Sequence, residues 1–498
     1  MKTTTRRTAI ASTFGILQAK SQNRQKTNLL FIIADDHAGY VLGASGNRLA
    51  ETPNLDALAK QSTYFSRHFC NQPVCTPSRQ SLITGQLPCA AGVTVLKTPL
   101  SESKPTLPKH LKQAGYATGV IGKMHFNNPG RPGLHGFDYC ITEDVLNKQW
   151  NQHVQPQPLP EGTRAKPPWR PFKDPASIWL NSAKLPFPRR EADMKAAYQL
   201  KLAGEYLSAH KDQPFGLWLS FQEPHSPYDF PYEDRDAIPA SRFTPPTVGP
   251  EDAWQVPLIF RDLSPEQKQG IAAAYYTSVR YLDRNVGRAL ALLDQHGLAE
   301  NTLVVYCADH GYCLGQHGRF EKHCGYDPAL HVPLMLRHPK AIRAGRVDQF
   351  TEHIDLPHTL TDMLALDPFA VRHGDSLRPY LQAGQPRSRT HVFSQYLENE
   401  EAFIRTDRWK FIIGSGRRKR TDGYETDHPT PGRYLRLFDL KADPGEFTSV
   451  APQQPKVVSE MLDLLLKRYR ATHPDTAKEP QRLSREEAVE FYLAPRDA

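Results

Sequence analysis

Short, unbroken apolar runs at residues 28–34, 116–121, 215–221 and 301–308 each stop at acidic, basic or imidazole side chains. Runs of that length without polar alternation predict strands buried on both faces, as in a parallel sheet. Between them the spacing changes to that of amphipathic helices. One begins at 53–59, with Asn54 placed to cap it, and others cover 107–115, 191–210 and 264–296, the last long enough for one helix or two in tandem. Residues 64–69 read as extended. Together these predict an α/β fold, in which ligands gather beyond the C-terminal ends of the strands. Past residue 386 the pattern shifts: 392–394, 402–405, 409–413 and 435–438 read as a small antiparallel sheet, closed by a helix at 457–469.

The residues that stop the runs are the ones with chemistry. Asp35 and Asp36 would repel each other unless a cation lay between them, so they read as a metal half-site more readily than as surface charge. Lys123 and His125 follow the second run, and their i, i+2 spacing predicts one face of an extended segment. On a loop, solvent exposure is the ordinary reading of such a pair; its place after a strand favours function. Pro224 and Pro227 stiffen the backbone around His225, whose imidazole can give or take a proton near neutrality. Asp309 and His310 put another carboxylate at the sheet edge.

Cys75-Thr76-Pro77-Ser78-Arg79 is of a different kind. Proline fixes φ and opens an apolar helical segment, presenting a reactive side chain at a helix N-terminus. An anion such as sulfate or phosphate would meet free N–H groups and the Arg79 guanidinium there. The stretch 140–190 is rich in proline and tryptophan, including Trp150, Trp169 and Trp179, with Lys166, Arg170 and Lys173 among them. It suits an acidic sugar chain, or its aromatics pack the loop onto the body. Arg417-Arg418-Lys419-Arg420 reads as a solvated turn or a polyanion contact.

Cys75-Thr76-Pro77-Ser78-Arg79, continued by Leu82-Ile83-Thr84-Gly85, resembles the C-x-P-S-R signature of type I sulfatases, in which the cysteine is oxidised by a separate maturation enzyme to formylglycine. Gly122-Lys123-Met124-His125 resembles the family's G-K-x-H element, Pro224-His225-Ser226-Pro227-Tyr228 its P-H-x-P-Y element, and Asp309-His310 the second half of its metal site. The resemblance implies an alkaline-phosphatase-like fold, a large mixed sheet flanked by helices with a smaller C-terminal antiparallel subdomain. It implies a sulfuric ester hydrolase whose aldehyde hydrate is the nucleophile. Asp35, Asp36, Cys75, Asp309 and His310 would hold the cation, which oxygen-rich donors suggest is Ca²⁺, with Mg²⁺ or Mn²⁺ open. Arg79, Lys123 and Lys322 would bind the sulfuryl oxygens, His225 would protonate the leaving alcohol, and His125 would take the proton from the hydrate. His317 and His323 stay open as substrate contacts.

A chain of 498 residues with 39% hydrophobic and 23% charged residues is ordinary for a soluble globular protein. The formal net charge of +9 favours acidic partners, among which a sulfated saccharide fits the motifs, with no call for nucleic acid. Seven cysteines without a C-x-x-C pair argue against a structural zinc site and leave their oxidation state undecided. Residues 1–22 have the charged, apolar and small-residue parts of a secretory signal, predicting a periplasmic or secreted protein rather than a cytoplasmic one. No membrane span is expected. The expected division is a catalytic domain at 27–387 and an α+β subdomain at 388–498. A phosphodiesterase or phosphonate monoester hydrolase of the same superfamily, and a non-catalytic polyanion-binding protein, are the rival readings.

Overall fold

The computed structural model describes residues 26–165, 180–249, 252, 254–382, 389–418, 426, 432–474 and 478–495. The leader-like segment 1–22, Trp169, Trp179, Lys166, Arg170 and Lys173, and Lys419 and Arg420 of the basic run lie outside these.

The apolar runs form the centre of a nine-stranded sheet. Its strands are β1 (Asn28–Ala34), β2 (Thr63–Phe69), β3 (Ala117–Gly122), β4 (Tyr139–Thr142), β5 (Phe215–Ser220), β6 (Thr302–Ala308), β7 (His331–Arg337), β8 (Gly345–Val347) and β9 (Thr351–Glu352). The order is β4-β3-β5-β1-β6-β7-β2-β8, with β9 also on β2. From β4 to β6 all neighbours are parallel, and β7 is antiparallel to both β6 and β2. Every residue of β1, β5 and β6 is buried, which is why these strands carry no polar alternation.

Register, more than composition, aligns the strand ends. Gly122 pairs with Ser220, Ile33 with Ser220, and Ala34 with Ala308, so four adjacent parallel strands end flush. Gly122 has φ +110°, and a Cβ there would lie 2.0 Å from the Ser220 carbonyl oxygen, so only glycine lets β3 close onto β5 at that rim.

A second sheet contains β10 (His391–Tyr396), β11 (Glu401–Thr406), β12 (Trp409–Gly414) and β13 (Tyr434–Asp439), antiparallel in that order. Its two faces separate by period two. Ile404, Phe411 and Ile413 pack under helix Pro455–Thr472 with Met461 and Leu465, whereas Phe403, Ile412 and Phe438 join Phe69, Cys313, Cys324 and Tyr326 of the larger unit.

Some expectations are corrected and others decided. Thr52, not Asn54, holds the N-cap position of the helix at 53–61, without a side-chain capping bond, and Asn54 instead donates its side-chain amide to Asp283 at 2.7 Å. The long pattern is one helix, Pro265–Gln295, started by a Ser264–Gln267 capping box. The stretch read as a Pro/Trp loop contains β4 and helix Glu143–His153, with Trp150 buried on it. Arg417 and Arg418 pair with Glu400. Among the described residues no helix is long and apolar enough to cross a membrane.

Candidate active site

The flush strand ends gather the candidate residues. Asp35 and Asp36 leave β1, Lys123 and His125 leave β3, His225 follows β5, and Asp309 and His310 follow β6. Helix Cys75–Thr84 points its N-terminus at the same rim, and Lys322 arrives on the loop before β7.

Cys75 is the common neighbour. His310 Nε2 and Lys322 Nζ each lie 3.2 Å from its Sγ, Asp35 Oδ1 3.6 Å and Lys123 Nζ 3.9 Å. Burial alone would raise the thiol, but Lys123, Lys322 and His310, with a hydrogen bond to His125, hold it well below the usual thiol range. The buried cations are themselves paired: Lys123 Nζ with Asp35 at 2.5 Å, Lys322 Nζ with Asp36 at 2.8 Å, and Arg79 Nε with Asp309 at 2.8 Å. Burial works against Asp35, yet Lys123, His225 and Arg79 keep its carboxyl far below the carboxylate range. Burial, with Asp35 and Cys75 near, pushes Asp309 up. His310 is pushed up to about 9 against its burial, by Asp309 first.

Asp35, Asp36, Cys75 and His310 each offer one donor atom, and these atoms all lie within 4.8 Å of one another. Asp36 Oδ2 is buried with no hydrogen-bond partner. A buried, unpaired carboxylate oxygen beside a second carboxylate, an imidazole and the side chain at position 75 suits a divalent cation. Asp309 stands just outside that group of four. Its Oδ1 accepts from the Asp36 and His310 backbone N–H groups, and its Oδ2 faces Arg79 and lies 3.6 Å from His310 Nε2.

The expected extended face for Lys123 and His125 is not found. His125 has φ +55°, which turns the chain after Lys123, so the two side chains reach the cysteine from different directions. His225 gives its Nδ1 proton to the Ser226 carbonyl at 2.6 Å, leaving Nε2 to face a substrate. Although burial opposes it, Asp36 and Asp35 raise this imidazole above its ordinary value. Of the two histidines left open, His317 is locked in the core, 3.0 Å from Asp252 and stacked on Tyr326 at 3.4 Å, and His323 faces Glu321.

Some participants had no role read for them in the sequence. Ser78 Oγ donates to the Asp309 carbonyl, which also accepts from His353 Nε2 at 2.8 Å, tying the cysteine helix to the aspartate's peptide. Ser220 and the Lys123 carbonyl both meet Arg79. Glu223 sits inside a motif read for His225 alone; burial pushes its carboxyl up to about 7, and its carbonyl accepts from the Asp35 N–H at 3.3 Å.

Comparison with known proteins adds to this geometry. Residues 27–366 match the Sulfatase family profile, and residues 315–471 match the one described as N-sulphoglucosamine sulphohydrolase, C-terminal. The chain is 28% identical over 471 residues to choline-sulfatase of Rhizobium meliloti, covering 90% of this chain and 87% of that protein. It is 24% identical over 529 residues to N-acetylglucosamine-6-O-sulfatase of Bacteroides thetaiotaomicron, covering 92% and 89%. Among solved structures, the phosphonate monoester hydrolase of Silicibacter pomeroyi superposes with a TM-score of 0.73 at 23% identity, covering 93% of this chain and 100% of that one, a likeness of fold.

Proposed function

The chain belongs to the sulfatase family, and from that premise we propose that this sulfuric ester hydrolase releases sulfate from a sulfated carbohydrate at the cluster around Cys75. One observation carries the assignment of the site: Lys123, Lys322 and His310 converge on a single buried side chain at a helix N-terminus. Preorganised cations in a water-poor site favour a transition state in which charge spreads over sulfuryl oxygens. The amino-sugar substrate in the name of the Bacteroides relative supports a saccharide as the alcohol half.

Maturation of Cys75 to formylglycine, by a separate enzyme, supplies a hydrated aldehyde as nucleophile, where an unmodified thiol would give an adduct that turns over poorly. The chain's own residues do the rest. Lys123, Lys322 and Arg79 take the negative charge of the sulfuryl group. His225, raised by its acidic neighbours, holds a proton at Nε2 for the departing alcohol oxygen, and His125 accepts a proton from the side chain at position 75. Asp35, Asp36 and His310, with Asp309 closing the acidic side, would hold a divalent cation, Ca²⁺ by donor chemistry, which would supply further positive charge for the sulfuryl group.

Export belongs to the same reading and rests on the pattern of residues 1–22; a precursor shortened during secretion would support it. The site is tested by expressing the full chain in a host with the maturation machinery, weighing the Cys75 peptide and comparing rates on an aryl sulfate and a phosphonate monoester. The expected result is an aldehyde at position 75 and faster sulfate release. A native protein carrying only thiol and binding polyanions without turnover would overturn it, and preferential phosphonate cleavage would move the substrate class.

A further inference from the structure

Beside His225 lies a cavity of about 160 Å³ lined by the rings of Trp150 and Phe187 and by Lys195, Gln222 and Glu223. That is room for about five water molecules. Its apolar wall is rigid: Trp150 donates its indole N–H to the Asp193 carbonyl at 2.9 Å, and its ring centroid lies 6.3 Å from that of Phe187. Two polar groups of the lining are unspent. Glu223 is only 5% exposed, yet its Oε2 has no hydrogen-bond partner. Lys195 Nζ is held by the neutral side chains of Asn147, at 3.0 Å, and Gln222, which leaves one of its three protons for a ligand.

A buried carboxyl oxygen without a donor costs free energy until something donates to it. We propose that this cavity is the subsite for the alcohol half of the substrate, and that Glu223 and Lys195 select a single uncharged, hydroxylated ring there. The inference rests on the sulfate-side assignment above, because His225 is the shared wall between the two. A sugar ring has the matching chemistry: a C–H face for Trp150 and Phe187, hydroxyl protons for Glu223 and hydroxyl lone pairs for Lys195. A ring bearing a carboxylate would lay an anion against the buried Glu223 carboxyl and Asp229, with Lys195 the one lysine among the described lining residues to offset them.

The test uses the matured full-length enzyme, with 4-nitrophenyl sulfate, a 6-sulfated neutral hexose or N-acetylhexosamine, and a 2-sulfated uronate. The wild type is expected to favour the neutral sugar over the uronate. Glu223→Ala should lower the ratio of kcat/KM on the neutral sugar to that on the aryl ester by about 100-fold, since a site built around a hydroxyl discriminates strongly once its partner is lost. Glu223→Gln should keep more of the ratio than Glu223→Ala does. Lys195→Met, which leaves the buried carboxyl in place, should lower the ratio as well and serves if the Glu223 variants fail to fold. An active wild type that prefers the uronate, or whose sugar-to-aryl ratio is unmoved by Lys195→Met and Glu223→Ala, overturns the subsite alone. A matured wild type inactive on every sulfate ester overturns the sulfate-side assignment together with it.

Discussion

The two sheets use the same backbone bonding for different ends. In the large sheet the side chains of β1, β5 and β6 are all buried packing, and the candidate chemistry begins one residue past the last rung of β1 and β6, at Asp35 and Asp309, and five past that of β5, at His225. In the small sheet the faces of the strands do the work. Lys410, wholly buried on β12, reaches Asp327 at 2.8 Å and Glu446 at 3.7 Å, and Arg405 on β11 meets the same Asp327 at 3.1 Å. Phe403 packs so closely on Gly325 that a Cβ there would come within 2.2 Å of its ring. Both contacts brace the segment just after Lys322. The contrast teaches that strand ends present four segments of the site and a helix N-terminus a fifth, whereas the sixth, that of Lys322, is braced by an antiparallel face.

Substitutions can break or sharpen that contrast. The largest effect is expected at the centre: Cys75→Ala should lower turnover by on the order of 10⁵-fold, as loss of a nucleophile does, with a melting temperature close to wild type. Retained sulfate release would defeat the site. Next, Lys322→Met should cost about 10²- to 10³-fold in kcat, the loss of one preorganised charge contact, and steady-state kinetics on an aryl sulfate would measure it.

At the small sheet the same type of change should appear mainly in stability. Lys410→Met strands Glu446, itself only 2% exposed, and should lower unfolding free energy by about 3 kcal/mol, measured by denaturant titration. If it instead matched Lys322→Met in kcat without destabilising the protein, the division between presenting and bracing would fail. The smallest effect concerns pH. Glu223 binds its proton more tightly folded, up to about 7, than the ordinary 4.5. Its contribution to stability is therefore fully present below the unfolded value and lost as pH rises through 7. Glu223→Gln should flatten that decline, worth on the order of 2 kcal/mol between pH 5 and 8, as followed by melting temperature across that range.

Much of the fold was readable in the chain because burial leaves a compositional mark. Residues 28–34, 215–221 and 301–308 are mostly apolar, without polar alternation, since neighbouring strands and helices cover both faces, and the charged residues that follow mark the rim. The small sheet was found from strand-like runs, although its two-faced role was not. What stayed hidden depends on contacts far apart in sequence. Nothing local distinguishes Lys195 from other helix lysines, and Glu223 becomes distinctive only once folding buries it. Asn54 looked like a cap because the competing partner, Asp283, lies on a distant helix. The left-handed turn at His125 replaced an expected strand-like face because a side chain's reach is set by the turn after β3, which spacing alone does not report.

The hydrogen bond from the Asp35 N–H to the Glu223 carbonyl has a consequence for how this enzyme could diverge. It makes one peptide the shared boundary of the compartment that would receive the alcohol and of the acidic floor that would receive the ion. Replacing a small loop to accept a new ring would tug on that floor, so a change of diet would carry a cost in cation affinity. Variants selected for new substrates should accordingly be screened for their divalent-cation requirement as well as for turnover.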